Sequence, residues 1–214
     1  MARLSLVVLL LFGGCATSQV PIPQGSTVDM DGTLESTEWA QAHRLPLEGG
    51  GSVLLQHDSD AVYIGFEALP DGWAHVYLSE SDSVHVLHAS AALGTATYAR
   101  QGDLWRPVRS FTWEVRGQTL TEELRAARRA FLSREGWAAS TMAMGTPGEI
   151  EFRIERAWID ASDAIAFVYS TGPDAILHSP EALSDATVAP LLVRGDTPDS
   201  LRFETPQWHQ LDLE

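Results

Sequence analysis

The residues best suited to recognising a polar ligand lie in Trp73-Ala-His-Val-Tyr-Leu-Ser-Glu80 and Ser83-Val-His-Val-Leu-His88. Two alternating runs around the polar turn Glu80-Ser-Asp82 read as a β-hairpin. With Leu78 opposite Val84 and Val76 opposite Val86, all four aliphatic residues share the core face. Tyr77 then lies opposite His85 and His75 opposite Leu87, so Trp73, His75, Tyr77 and His85 form one surface on the other face. Flat aromatic rings stack on sugar faces, while imidazole and phenol groups hydrogen-bond hydroxyls, which makes this pattern a carbohydrate platform. The bland alternative is a second packed layer, or cover by a helix. In the same register His88 falls on the core face opposite Ala74, where a backbone carbonyl would satisfy its ring.

Other constellations are weaker. Asp58 and Asp60 bracket a turn, as do Asp29 and Asp31. Oxygen-rich turns can hold calcium, but no loop here has EF-hand spacing, and acidic residues form turns without metal. His85 and His88 fall on opposite strand faces and make no zinc pair. Glu149 and Glu151 read as the solvent side of a strand. No Gly-x-Ser-x-Gly elbow and no His-Glu-x-x-His motif occurs. No nucleophile or tuned acid–base pair is identified, so the expectation is a binding protein and not an enzyme.

The elements that must position these residues are mostly strands. Ser52–His57 and residues 61–68 flank Asp58-Ser-Asp60, and residues 73–79 and 84–89 make the hairpin. Residues 110–116 and 149–155 alternate as half-buried strands, and 164–170 is a continuous apolar run. Residues 187–193, with Pro190, suit an edge, and 201–203 could close a sheet. Thr119-Leu-Thr-Glu122 matches a capping box, followed by the apolar stripe Leu120, Leu124, Ala127 and Phe131 up to Gly136. Short turns are expected at 36–42 and 179–183. Roughly nine to eleven strands and one inserted amphipathic helix predict an all-β chain, a single antiparallel β-sandwich.

Charge narrows the partners. The chain has 214 residues and a formal net charge of −15, and all 14 basic residues are arginine. Such a chain lacks the basic face that nucleic-acid binding requires. At 44% hydrophobic and 20% charged residues it has the composition of a folded domain. The charge is uneven: residues 100–134 carry eight arginines and four acids, between two strongly acidic blocks. Arg125, Arg128 and Arg129 read as one exposed helix face. It could take an anionic glycan, a lipid headgroup or an envelope protein through residues 100–134, or merely neutralise nearby carboxylates.

The N-terminus carries one positive charge at Arg3, an apolar run to Phe12, and Gly13-Gly14-Cys15. Leu11-Phe-Gly-Gly-Cys15 resembles the lipobox of bacterial lipoproteins, with Phe12 a departure from the usual leucine. The resemblance implies a signal peptide over 1–14 and lipidation of Cys15, the only cysteine. Ala16 does not suggest inner-membrane retention, so a lipid-anchored cell-envelope position at the outer membrane is expected. Residues 15–27, with Pro21 and Pro23, read as a tether, and 28–214 as the domain.

Val28-Asp-Met-Asp-Gly-Thr-Leu-Glu-Ser-Thr-Glu-Trp-Ala-Gln-Ala42 resembles the opening of family 9 carbohydrate-binding modules and related DOMON-like sandwiches. Gln56-His-Asp-Ser-Asp60 before Val62-Tyr-Ile-Gly-Phe66 is similar to their acidic turn and central strand. Gly148-Glu-Ile-Glu-Phe-Arg-Ile154 is similar to the late strand before an apolar pair, here Trp158 and Ile159. The resemblance implies an immunoglobulin or DOMON-like sandwich that binds carbohydrate or a related polar ligand. It also brings in two cofactors: calcium at Asp58 and Asp60, and haem on His88 with Met142 or Met144 in an electron-transfer domain.

If Cys15 carries the anchor, Cys15→Ser releases the protein from the membrane fraction in soluble form. Retention of the variant with membranes on fractionation would contradict the lipoprotein reading.

Overall fold

The computed structural model describes residues 19–48, 50–69, 72–117, 119–141, 148–160, 162–172, 175–180 and 196–213. One sheet contains β1 (Gln19–Ile22), β5 (Ala74–Glu80), β6 (Ser83–Ala89), β7 (Leu93–Gln101) and β8 (Leu104–Arg109). It also contains β11 (Ala164–Gly172), β12 (Ala175–Ser179) and β13 (His209–Leu213). Its order is β1-β13-β11-β5-β6-β7-β8, with β12 also paired to β11. The second sheet contains β2 (His43–Pro46), β3 (Ser52–His57), β4 (Ala61–Leu69), β9 (Trp137–Ser140) and β10 (Gly148–Glu155), in the order β2-β3-β4-β10-β9. The predicted all-β sandwich is therefore the fold. Its strands pair antiparallel apart from β1 and β13, which run parallel.

The inner faces meet in one core. Val53, Leu55, Ile64, Phe66, Phe152 and Ile154 of the second sheet pack with Val76, Leu78, Leu87, Phe167 and Tyr169 of the first. Phe66 meets Phe167 edge-on across the layers, at 5.8 Å between centroids. Both outer faces are covered as well. Tyr77, Val84, Val86, Tyr98, Ala166 and Val168 lie beneath Leu201, Phe203 and Trp208. On the other side Leu54, Ala61 and Tyr63 lie beneath Val28 and Trp39.

The opening motif forms this second cover. Gly32 takes φ 89°, and the Thr33 N–H donates to Asp31 Oδ1 at 2.9 Å, closing a tight Asx turn. Leu34 and Trp39 then press onto the strand at Gly65, where a Cβ would lie 2.7 Å from Leu34 and 3.1 Å from the Trp39 ring. Trp39 is thus buried outside the main core. Glu149 and Glu151 correct the expectation of a solvent-facing pair. Glu149 Oε2 accepts from the Leu34 N–H and Glu151 Oε2 from the Gly32 N–H, both at 2.7 Å. Glu151 is fully buried, because the loop folds over the face that alternation alone leaves wet.

Three further expectations change. Gln19–Ile22, read as tether, is strand β1, with Val20 and Ile22 buried against β13. Residues 110–117 are irregular, and among the described residues their one backbone bridge to the sheet joins Leu93 and Glu114. Helix α1 (Glu122–Glu135) is capped by Thr121, whose hydroxyl accepts from the Leu124 N–H, and not by Thr119. Its buried stripe is Leu124, Arg128 and Phe131, while Ala127 is exposed. Gly136 ends it at φ 72°, as expected, and a Cβ there would collide with Trp158 of helix α2 (Arg156–Asp160). Cys15, Met142, Met144 and residues 187–193 lie outside the described residues.

Burial pushes the Glu151 carboxyl up to about 8, opposed by the Gly32 N–H and reinforced by Asp31. The native state therefore binds more protons than the unfolded chain between about pH 4.5 and 8, and stability falls as pH rises through that window. Glu151→Gln keeps an acceptor for Gly32 and removes the fall, which amounts to a few kcal/mol at about 1.4 kcal/mol per pKa unit. Urea midpoints of both proteins from pH 5 to 9 check this, and an equal decline in both would contradict it.

Candidate functional site

The hairpin forms, but one residue out of the expected register. Glu80 pairs with Ser83, leaving a two-residue turn of Ser81 and Asp82, with Ser81 at φ 40°. Two-residue turns of this hand match strand twist, and the Ser81 N–H is held by Asp163 Oδ2 at 2.7 Å. Leu78 therefore faces His85, Val76 faces Leu87 and His75 faces His88. A one-residue slip moves a strand's side chains to the opposite face. Trp73, His75 and Tyr77 stay on the outer face of the first sheet and gain His88, which was expected in the core. His85 moves to the inner face beside Trp158, 4.8 Å between rings, with Nδ1 on Thr97 Oγ1 at 3.2 Å. The four-residue platform is thus split. It is also covered: Tyr77 and His75 are fully buried, and Phe203 and Trp208 close over Tyr77. The cover comes from the C-terminal segment and residues 111–113, not from helix α1.

The outer-face residues form a continuous polar chain. His75 Nδ1 lies 3.4 Å from the Tyr77 hydroxyl, His75 Nε2 2.6 Å from His88 Nδ1, and His88 Nε2 2.8 Å from Ser90 Oγ. Burial holds both imidazoles in the neutral form, with the neighbouring His88 adding to the effect on His75; His88 is pushed down to about 3. Burial also drives the Tyr77 hydroxyl far above its ordinary value.

This chain surfaces in a cleft of about 450 Å³ lined by His88, Ser90, Ala91, Ala92, Trp113, Arg116 and Gly117. Phe111 and Trp113 stack in parallel, 5.2 Å apart and 6° from coplanar, and Trp113 meets the His88 ring edge-on at 4.7 Å. They lie on the sheet because Gly94, opposite His88, has no side chain: a Cβ there would approach Trp113 to 3.1 Å. Val115, between Trp113 and Arg116, sits at φ 54°, a conformation a β-branched residue adopts only under strain. The cleft therefore offers a half-buried indole, a hydroxyl backed by a buried histidine, and an exposed guanidinium.

The serine–imidazole contact does not make a nucleophile. Among the described residues neither ring has a carboxylate hydrogen-bond partner, and a base held near 3 takes no proton from a serine hydroxyl at neutral pH. The Tyr77–His75–His88–Ser90 series offers hydrogen-bonding groups at the cleft. Both His88 nitrogens are engaged, by His75 and Ser90, so a haem ligand there would have to displace one of them.

Asp58 serves as a turn former. Its Oδ1 accepts from the Asp60 and Ala61 N–H groups, and its Oδ2 from Thr27 and Tyr63 hydroxyls. Burial raises its carboxyl, but these bonds outweigh it and hold it at about 2. Asp60 accepts from Ser59, and among the described residues no three His, Cys, Asp or Glu side chains converge on a metal-sized site.

Within residues 100–134 several arginines neutralise carboxylates: Arg109 pairs with Glu135, Arg129 with Glu122, and Arg134 with Glu114 and Glu135. Arg128 does not. The sequence reading missed Ser90, Trp113 and Arg116, although a glycine inside an apolar strand pattern, as at Gly94, signals a close approach from above.

In a histidine NMR titration the His75 and His88 rings, assigned by their loss in His75→Phe and His88→Phe, stay neutral from pH 8 to 5. A midpoint near 6.5 for either would contradict the buried pair.

No protein-family model matches the chain, and neither the curated proteins nor the solved structures yield a match.

Proposed function

We propose that the chain is a non-catalytic binding domain for a carbohydrate or related polar ligand, carried on a lipid-anchored protein of the cell envelope. The observation that supports this reading is the cleft beside Trp113. It joins an aromatic surface to the His88–Ser90 pair and Arg116, all within one concavity. Sugars demand this mixture: an apolar ring face for stacking and fixed donors and acceptors for hydroxyls. The His75–His88 pair suits the second task, because its rings are locked by each other and by Ser90 before a ligand arrives. The resemblance of residues 28–42 to family 9 carbohydrate-binding modules points to the same ligand class. It suggests a site moved from the expected hairpin face to the mouth of the same histidine chain.

On an array of neutral and uronate glycans the soluble protein gives a hit. Trp113→Ala weakens that hit at least tenfold, about 1.4 kcal/mol, while Trp113→Phe retains most of it. An array with no hit, on folded protein with and without calcium, would overturn the proposal.

A further inference from the structure

A second cleft lies on the far side of the sandwich, between helix α1 and the second sheet. It encloses about 240 Å³ and is lined by Arg125, Arg128, Arg129, Arg153, Asp29 and Ser140, with Met30 and Leu132 among its apolar walls. Four arginines and one carboxylate line it, and only Arg129 among the four has an ion-pair partner among the described residues, Glu122, in a protein whose net charge is −15.

Arg128 is the decisive residue. It is 5% exposed, and its Nη1 donates to Ser140 Oγ at 2.9 Å. Its Nε and Nη2 are buried, and among the described residues neither has a hydrogen-bond partner. These two nitrogens form one edge of the guanidinium, the edge that binds two oxygens of an oxyanion side by side. An arginine cannot escape burial by losing its proton at neutral pH, as the histidine pair does, so an unpaired fork here destabilises the protein unless an anion fills it. Arg125 beside it increases the need.

We propose that this cleft binds the phosphate group of a small organic molecule, whose entry opens the Arg128 Nε/Nη2 edge, now closed to solvent, as its bidentate seat. Phosphate is favoured over a carboxylate because, with Asp29 and the Arg129 partner Glu122 counted, a surplus of two positive charges remains, which a dianion offsets better than a monoanion. The cleft is several times larger than an inorganic phosphate, so it accommodates an attached organic body against Met30 and Leu132. The group could reach it on a soluble phosphate monoester or on an anionic phospholipid headgroup.

The test uses the soluble Cys15→Ser protein and its Arg128→Met derivative. Calorimetry and thermal melts are run with inorganic phosphate and glycerol phosphate against chloride at matched ionic strength. Flotation is run with phosphatidylcholine vesicles, with and without one quarter phosphatidylglycerol. Replacing a buried unpaired charge by an apolar residue of similar length leaves a folded protein whose melting temperature without ligand is equal or higher. Phosphate or glycerol phosphate raises the melting temperature of the parent by several degrees, with affinity lost at least tenfold in Arg128→Met, which supports a soluble ligand. Binding confined to the phosphatidylglycerol vesicles and lost in Arg128→Met supports the headgroup. No binding to any probe, or binding equal in both proteins, overturns the proposal, whatever the glycan array shows for the Trp113 cleft.

Discussion

Everything in this sandwich follows from strands that are apolar on both faces. Residues 164–169 of β11 are all buried, as are residues 74–79 of β5. One face of each sheet is satisfied by the other sheet. The second must be covered by chain that is not sheet, because an exposed Tyr77, Val86 and Val168 surface would lose the roughly 1.5–3 kcal/mol that each large apolar side chain contributes on burial. The fold meets this demand with three irregular segments: residues 28–42 over the second sheet, and 111–117 and 201–208 over the first. Irregular covers do not tile a sheet as another sheet does. Both clefts lie along such segments, one beside Trp113 and one between Met30 and helix α1.

The covers also explain the buried ionisable groups, and these divide by chemistry. Glu151 lies under the opening loop and is driven toward its neutral acid; His75 and His88 lie beside Phe111 and are driven toward neutral imidazole. Each sheds its charge and keeps a hydrogen bond, the cheapest way to bury an ionisable group. Arg128 has no such route. It is lowered only to about 10, by burial and then by Arg125, and stays cationic at any physiological pH. A chain without lysine has placed in the cleft beside helix α1 a buried guanidinium with no carboxylate partner among the described residues. That contrast separates the Trp113 cleft, backed by neutral imidazoles, from the cleft beside helix α1, backed by a fixed cation.

Much of the sandwich was legible in the sequence because alternation and apolar runs report local burial. Residues 52–57, 61–68, 149–155 and 164–170 carry those patterns and fall within the strands they predict. Strand β7, Leu-Gly-Thr-Ala-Thr-Tyr-Ala, was missed because its small residues are what allow Phe111 and Trp113 to lie on it; their smallness hides the strand while making the site. The hairpin failed by one residue because hydrophobic alternation fits two registers when both faces are buried, and only the turn at Ser81 chooses between them. Arg128 was misplaced for a related reason. Leu124, Arg128 and Phe131 are helical neighbours on one face, but an arginine reads as solvent-facing unless something else says that its face is covered.

The position of β1 bears on how an anchored protein of this kind would work. Strand β1 begins at Gln19, four residues beyond Cys15, and is locked to β13 by parallel pairing with Val20 and Ile22 buried. Four extended residues reach at most about 14 Å. If Cys15 is lipidated, the sandwich sits close to the bilayer, and loss of Arg3 with the signal peptide takes the net charge from −15 to −16. At physiological ionic strength charges interact over roughly 8 Å, so the acidic body is repelled by an anionic surface wherever it approaches that closely. The short leash and the repulsion together restrict which face can turn toward the lipid. The segment of residues 100–134, eight arginines against four acids, is the stretch whose local charge favours that approach, and helix α1 within it forms a wall of the arginine cleft. Strands β1 and β8 nevertheless lie at opposite edges of the first sheet, so a lipidated Cys15 and the arginine-rich segment would draw opposite sides of the sandwich toward the bilayer.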